Sequence, residues 1–202
     1  MKILIIQQKM IGDVLTSSIL FEALRAKYPN ATLYFLINSH TYPVVENHPF
    51  IDEYILYTKQ IEASKIKFIR FVKQIRAVNY DAIIDVYGST TTALICLFGK
   101  SKMKVAYHKN YTAFVYSHTI KRLKKPLHNS SLAIENRLKL LEPLGVEFKP
   151  YTPKIYLTEQ EITNAKQFLS DANINLNADL FMIGVTGVVL KKPTLLNIWR
   201  RY

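Results

Sequence analysis

The chain begins with a short apolar run that leads into an amphipathic segment and then into a second apolar run. Residues 2–6 are rich in β-branched side chains, a pattern typical of a buried strand. After a brief polar turn, apolar residues at helical spacing predict a helix from Gly12-Asp13 to Lys27, which Pro29-Asn30 ends. Residues 32–37 predict a second strand. These elements indicate a right-handed βαβ unit, whose first turn lies at the carboxyl edge of a parallel sheet.

The same alternation continues along the rest of the chain. It predicts strands at 54–57, 81–86, 104–107 and 179–185, a possible short helix within 38–49, helices at 61–78, 90–98, 130–144 and 158–173, and an extended segment at 152–157. A capping box, Thr158 with Glu161, opens the last of these helices. The predicted fold class is therefore α/β, a Rossmann-like parallel sheet with helices on both faces.

Composition narrows the range of functions. The 202 residues are 49% hydrophobic, enough for a real core, and the net charge of +12 attracts polyanions such as nucleic acid, anionic lipid or a phosphorylated substrate. No apolar run is long enough to span a bilayer and no signal-peptide pattern opens the chain, so we expect a cytoplasmic protein. The single cysteine, Cys96, lies in an apolar run and is expected to be buried.

Two basic segments leave alternatives open. The basic side of the helix at 61–78 faces either anionic lipid or water. Residues 111–125 mix aromatic and basic side chains. Such a mixture is more often a half-buried loop than a single-stranded nucleic-acid site, so we expect no nucleic-acid partner.

The five histidines lack metal-ligand spacing, and we expect no metal.

Asp13 is the best candidate for chemistry, because the carboxyl edge of a parallel sheet is where α/β folds bind ligands. An aspartate at a helix start also has a structural explanation, since its carboxylate accepts exposed backbone N–H groups, and from physics alone we favour that capping role. The turn has one glycine where a dinucleotide fingerprint needs three, so a Rossmann dehydrogenase is disfavoured.

Four stretches in register resemble glycosyltransferase family 9, the heptosyltransferases of lipopolysaccharide core synthesis. The first stretch contains the Gly-Asp turn, the second an Asp-x-x-Gly turn, the third a helix that ends at Leu144-Gly145, and the fourth a strand that opens a second domain. They span residues 2–36, 80–109, 128–148 and 181–187.

The resemblance implies a GT-B fold and an inverting, metal-independent transfer of a sugar, heptose from ADP-heptose, to a lipopolysaccharide core or related acceptor. It implies that Asp13 is the general base, and that Lys9, Gly12 and Gly88 contact substrate. Thr186, Lys191 and Lys192 match the family's donor-phosphate loop weakly. The nucleotide sugar is then a substrate, and no cofactor is expected. The resemblance also implies a peripheral position on the inner face of the inner membrane, where lysines would hold the enzyme at the anionic leaflet.

The chain departs from the family near its end, where residues 191–202 lack the usual continuation. We therefore expect an acceptor-side domain at 1–157, a linker helix at 158–178 and the start of a truncated nucleotide-sugar domain at 179–202. A frameshift in an adenine run near Lys191-Lys192 would explain this tail, and a chain without its donor domain is expected to be inactive. The alternative is a non-catalytic basic module that binds anionic glycolipid or a membrane surface.

Overall fold

A computed structural model describes residues 1–175 and residue 178 of the chain. The chain divides into two units, Met1–Leu157 and a second unit that begins at Thr158. None of the helices in the described ranges is long and apolar enough to cross a membrane.

The first unit contains one sheet of six strands, each parallel to its neighbours. The strands are β1 (Lys2–Ile6), β2 (Thr32–Asn38), β3 (Glu53–Tyr57), β4 (Tyr80–Asp85), β5 (Ser101–Tyr107) and β6 (His118–Ile120), and their order across the sheet is β3-β2-β1-β4-β5-β6. Connections run outwards in opposite directions from the central pair β1 and β4. A crevice therefore opens at the carboxyl ends of these two strands, which is the usual ligand site in such sheets.

Helices cover both faces of the sheet. They are α1 (Ile11–Ser17), α2 (Ile19–Lys27), α3 (Lys59–Glu62), α4 (Lys65–Ala77), α5 (Thr90–Phe98) and α6 (Leu132–Lys139), with 3-10 turns at Ser39–Val44, Ala113–Val115 and Glu142–Leu144. Alternate residues of β1 enter different cores: Ile3 packs on the side of α2 and α6, and Leu4 on the side of α4 and α5. Because both faces are buried from Ile3 to Ile6, this part of the strand is entirely apolar, as parallel strands usually are.

The α/β prediction is confirmed, and three details of it are corrected. The helix predicted from Gly12 to Lys27 is divided at Ser18, whose hydroxyl donates to the Leu15 carbonyl at 2.8 Å and competes with the helix ladder. The helix predicted to start at residue 61 is two helices, because the Ser64 hydroxyl caps α4 by accepting from the Lys67 amide.

The third correction concerns the helix predicted at 130–144, which ends at Lys139. Pro143 lacks an N–H group and its ring clashes with an earlier carbonyl, so a short 3-10 turn follows instead. The structure also adds β6 inside the segment expected to be a loop. Cys96 is fully buried, as predicted, and burial raises the pKa of its thiol.

The second unit begins with the predicted capping box. The Glu161 carboxylate accepts from the Thr158 amide at 2.7 Å, and the Thr158 hydroxyl accepts from the Glu161 amide at 3.2 Å. Helix α7 (Glu159–Asp171) follows. The strand predicted at 179–185 lies outside the described residues.

Candidate functional site

The turn between β1 and α1 has an unusual backbone. Lys9 and Met10 both have positive φ angles, 61° and 44°, although neither is glycine. The Lys9 amide donates to Oδ1 of Asn38 at 3.1 Å, which joins the turn to the end of β2. Left-handed backbone in residues with a Cβ atom costs free energy and is concentrated at functional sites.

Asp13 lies in the first turn of α1, directly after this backbone, and Met10 occupies the N-cap position. The N-cap hydrogen bond favoured from the sequence is therefore wrong, although an acid in the first turn still suits the helix dipole. The hydrogen bond made by the Asp13 carboxylate joins Oδ1 to Nη2 of Arg137 at 2.6 Å. About half of the Asp13 side chain, 46%, is exposed, whereas only 12% of the Arg137 side chain is. The carboxylate thus faces open space while its partner is held in the protein.

Arg137 is fixed by three groups at once. Its Nε atom donates to Oγ of Ser17 at 3.0 Å and its Nη1 atom to the carbonyl of Ala133 at 3.2 Å, in addition to the bond with Asp13. Ser17 in turn donates to Oε1 of Gln7, which follows β1 directly. A guanidinium with this many bonds has one orientation, and it imposes that orientation on the carboxylate.

Asp13 and Arg137 border a cavity of about 560 Å³. Its lining residues come from the ends of β1, β4 and β5, from α1 and α6, and from the segment after β6; they are Gln7, Asp13, Val86, Tyr87, Tyr107, Arg122, Leu132, Ala133, Asn136 and Arg137. The cavity lies at the crevice where chain connections diverge from β1 and β4, and its volume is that of a small-ligand site.

Arg122 gives the cavity a second guanidinium. Its central carbon lies 3.9 Å from the centroid of the Tyr107 ring, a cation–π contact that leaves the N–H fork free for a ligand. Among the described residues no acid pairs with it. Planar guanidinium groups bind phosphates and carboxylates through two parallel hydrogen bonds.

Helix α6 holds the segment that carries Arg122. The Asn136 side chain accepts from the Leu123 amide at 2.7 Å, and the Glu135 carboxylate accepts from the amides of Leu127 and His128 at 2.6 and 2.8 Å. Burial alone would raise the pKa of Glu135, but these two N–H groups lower it below the usual value. The basic segment is therefore bound to α6 by a charged carboxylate.

The Asp-x-x-Gly turn forms another wall. Asp85 is fully buried and accepts from the Gly88 amide and the Tyr116 hydroxyl, both at 2.7 Å, and burial raises the pKa of its carboxyl. Gly88 has a φ angle of 62°, and its carbonyl accepts from the Lys109 ammonium at 2.6 Å. These bonds fix the backbone that carries Val86 and Tyr87 into the cavity.

The residues predicted from the sequence fall into separate groups. Asp13 lines the cavity, Lys9 and Gly12 are exposed in the neighbouring turn, and Gly88 is buried with both backbone groups bonded inside the protein. Substrate contact by the last three stays a prediction. The donor-phosphate candidates Thr186, Lys191 and Lys192 lie outside the described residues.

Neither Arg137 nor Arg122 was predicted as a site residue from the sequence. A signal for Arg137 was present, because it occupies the i+3 position of an apolar stripe made by Ile134, Leu138 and Leu141. A charge within such a stripe points into the protein and needs a partner. No comparable pattern distinguishes Arg122 from the lysines beside it.

Comparison with known proteins identifies relatives of this chain. A family model, glycosyltransferase family 9 (heptosyltransferase), matches residues 68–190, more than half of the chain. Lipopolysaccharide heptosyltransferase 3 of Escherichia coli strain K12 is 30% identical over 141 residues, which cover 67% of this chain and 40% of that protein. The chain spans about half or less of the length of the curated relatives it matches.

Solved structures agree on the fold. A family 9 glycosyl transferase from Veillonella parvula has a TM-score of 0.79 at 20% identity, over 94% of this chain and 55% of that one. The E. coli heptosyltransferase WaaC, solved with ADP-2-deoxy-2-fluoro heptose, has a TM-score of 0.62 at 17% identity, over 76% of this chain and 51% of that one.

Proposed function

The chain belongs to glycosyltransferase family 9, and we propose that it forms the acceptor side of a heptosyltransferase-like enzyme with a GT-B fold. In this proposal a sugar, heptose from ADP-heptose, passes to a lipopolysaccharide core or a related anionic acceptor. The observation that carries the proposal is that an exposed carboxylate, Asp13, and two guanidinium groups line one cavity at the carboxyl edge of the sheet.

Asp13 is proposed as the general base of an inverting displacement. An acceptor hydroxyl within hydrogen-bond reach of the carboxylate gives its proton to Asp13 as its oxygen attacks the anomeric carbon of the donor. The bond between that carbon and the diphosphate oxygen breaks, and the nucleoside diphosphate leaves. Since Arg137 occupies Oδ1 of Asp13, the other carboxylate oxygen, Oδ2, is the one offered to the acceptor.

The two arginines have different proposed roles. Arg137 positions Asp13, because its guanidinium is held by Ser17 and the Ala133 carbonyl and fixes the carboxylate in one orientation. Arg122 has no acidic partner among the described residues, so its N–H fork is proposed to bind a phosphate or carboxylate of the acceptor. Together they would place an anionic saccharide beside the base.

The donor side of the proposal rests on family membership and on relatives. WaaC was solved with an ADP-heptose analogue, which supports a nucleotide sugar as the second substrate. We propose that Thr186, Lys191 and Lys192 contact its diphosphate. Cationic side chains then offset the charge that develops on the leaving group, without a metal ion.

Release of ADP from ADP-heptose in the presence of a heptose-deficient lipopolysaccharide core tests the proposal. The assay is run with the chain, and with a fusion in which the carboxyl-terminal half of E. coli lipopolysaccharide heptosyltransferase 3 follows residue 178. Acceptor-dependent ADP release by the fusion supports a glycosyltransferase. If the chain binds the core, and the fusion folds and binds ADP-heptose but releases no ADP, the non-catalytic glycolipid-binding alternative replaces the enzyme.

A further inference from the structure

A second surface, on the opposite side of the sheet from α1 and α6, combines exposed apolar and basic side chains. It is formed by α4 and α5, and we call it the α4–α5 face. Its exposed basic and large apolar residues are Lys65, Ile66, Lys67, Ile69, Arg70, Lys73 and Arg76 of α4, and Leu94, Leu97 and Phe98 of α5.

The apolar part of this face consists of large side chains that are about half exposed or more. Ile66, Ile69 and Phe98 are 64%, 55% and 49% exposed. Phe68, Ile69, Val72 and Phe98, together with the stems of Lys73 and Arg76, line a groove of about 290 Å³ between the two helices. Contiguous apolar surface of this kind marks an interaction site, because leaving it in water costs free energy.

The charged part has one sign. No aspartate or glutamate occurs between Glu62 and Asp81, nor between Asp85 and Glu135. Asp81 is paired with Lys102 at 2.9 Å, and Asp85 is fully buried. The basic side chains around the groove are therefore not neutralised by acids within these stretches, and the face attracts anions.

We propose that the α4–α5 face docks on the surface of an anionic lipid bilayer. Lysine and arginine side chains would bind lipid phosphates while Ile66, Ile69 and Phe98 enter the boundary between headgroups and acyl chains. A nucleic acid would satisfy the cations but leave the apolar groove in water. A second copy joined through the same face would place like charges against each other, since a two-fold interface is self-complementary.

Vesicle flotation at about 0.15 M salt tests this proposal without any assay of transferase activity. We expect the chain to float with vesicles that contain phosphatidylglycerol. With vesicles of pure phosphatidylcholine it should remain in the bottom fraction. The double variant Arg70→Glu/Lys73→Glu should bind the anionic vesicles at least about tenfold more weakly, because each basic group near such a surface contributes substantially to attraction. Ile66→Ser/Ile69→Ser should lower binding to a similar degree.

The matched control is Lys149→Glu/Lys154→Glu, which makes the same charge change at two exposed lysines in another part of the first unit. It should bind anionic vesicles within about threefold of the unaltered chain, since only distant charge is changed. The proposal is overturned if the unaltered chain does not float, or if the control weakens binding as much as the α4–α5 variants do. It is also overturned if sedimentation velocity shows a dimer that Ile66→Ser/Ile69→Ser converts to monomer.

Discussion

Arg137 and Asp13 are separated by 124 positions in the chain, yet Nη2 of the arginine lies 2.6 Å from Oδ1 of the aspartate. The pair joins α1, the first helix of the chain, to α6, the last α-helix of the first unit. Because the arginine is nearly buried and the carboxylate half exposed, the contact orients a group that faces the cavity. Because the carboxylate is half exposed, water screens the charge pair, and its main effect is to orient the group that faces the cavity.

Replacing the arginine tests this orienting role. In the active fusion, Arg137→Met should lower kcat by about tenfold or more, because the carboxylate loses its fixed orientation. The free energy of unfolding should fall by about 1–3 kcal/mol, because methionine also loses the bonds to Ser17 and to the Ala133 carbonyl. Steady-state kinetics and urea unfolding measure the two quantities.

A double-mutant cycle separates orientation from general damage. If Arg137 acts through Asp13, then Arg137→Met should have almost no further effect on kcat in a chain that already carries Asp13→Asn. Equal, additive losses in both backgrounds would show that the arginine acts elsewhere.

Substitution of Gly12 tests whether the acceptor contacts the backbone at this position. Apart from the neighbouring residues and the backbone of α1 itself, a Cβ atom added there would have no protein atom within 4 Å. Gly12→Ala should therefore leave stability unchanged or raise it by up to about 1 kcal/mol. If acceptor reaches this backbone, KM for acceptor should still rise several-fold. Gly145→Ala is the comparison: its φ angle of 69° disfavours alanine, and stability should fall by about 1 kcal/mol with KM unchanged.

The attachment of the basic segment to α6 predicts a change in proteolysis. Glu135→Gln weakens the acceptor for the Leu127 and His128 amides, so trypsin should cleave faster after Lys121, Arg122 or Lys124. Cleavage sites identified by mass spectrometry provide the measurement. Glu142→Gln changes an exposed carboxylate nearby and should leave the cleavage rate as it is; equal acceleration in both variants would exclude a specific role for Glu135.

The buried imidazole of His48 should make the free energy of unfolding depend on pH. Its ring lies among Phe21, Phe50 and Tyr156, and burial lowers its pKa from 6.5 to about 4. The unfolded chain therefore binds a proton more readily than the folded chain between these values. The contribution of His48 is fully present above pH 6.5 and is lost as the pH falls towards 4, by about 3 kcal/mol.

Urea unfolding at several pH values checks this dependence. His48→Asn keeps an acceptor for the Phe50 amide but does not titrate, so the slope of stability against pH should flatten between 4 and 6.5. His40→Gln, which removes an exposed imidazole, should keep the slope of the unaltered chain. An unchanged slope in His48→Asn would mean that another group governs the acid transition.

Local patterns predicted most of the fold. The apolar runs at β1 and β4, the capping box at Thr158 and the buried Cys96 all follow from short-range sequence, where neighbouring residues determine the structure. The strand β6 was not predicted, because three residues are too few to show a period in hydrophobicity. Its extended conformation depends on pairing with β5. The break at Ser18 depended on a side-chain hydrogen bond that spacing does not reveal.

The candidate site was less predictable because its parts are distant in the chain. Asp13 could be singled out from its place after the first strand, but its hydrogen-bond partner comes from α6. Likewise, Arg122 resembles any surface base in the sequence, and only the fold places it over Tyr107 in the cavity. Contacts of this kind follow from topology, which composition and periodicity determine only in outline.

Turnover by Asp13→Asn tests the proposed general base most directly. In the active fusion, this variant should lower kcat for ADP release by at least about a hundredfold, because the amide cannot accept the acceptor's proton. Its Kd for acceptor should stay within about threefold, and Glu147→Gln, which alters an exposed carboxylate elsewhere in the first unit, should retain full turnover. An Asp13→Asn fusion that turns over at the rate of the unaltered one would contradict the assignment of Asp13 as the base.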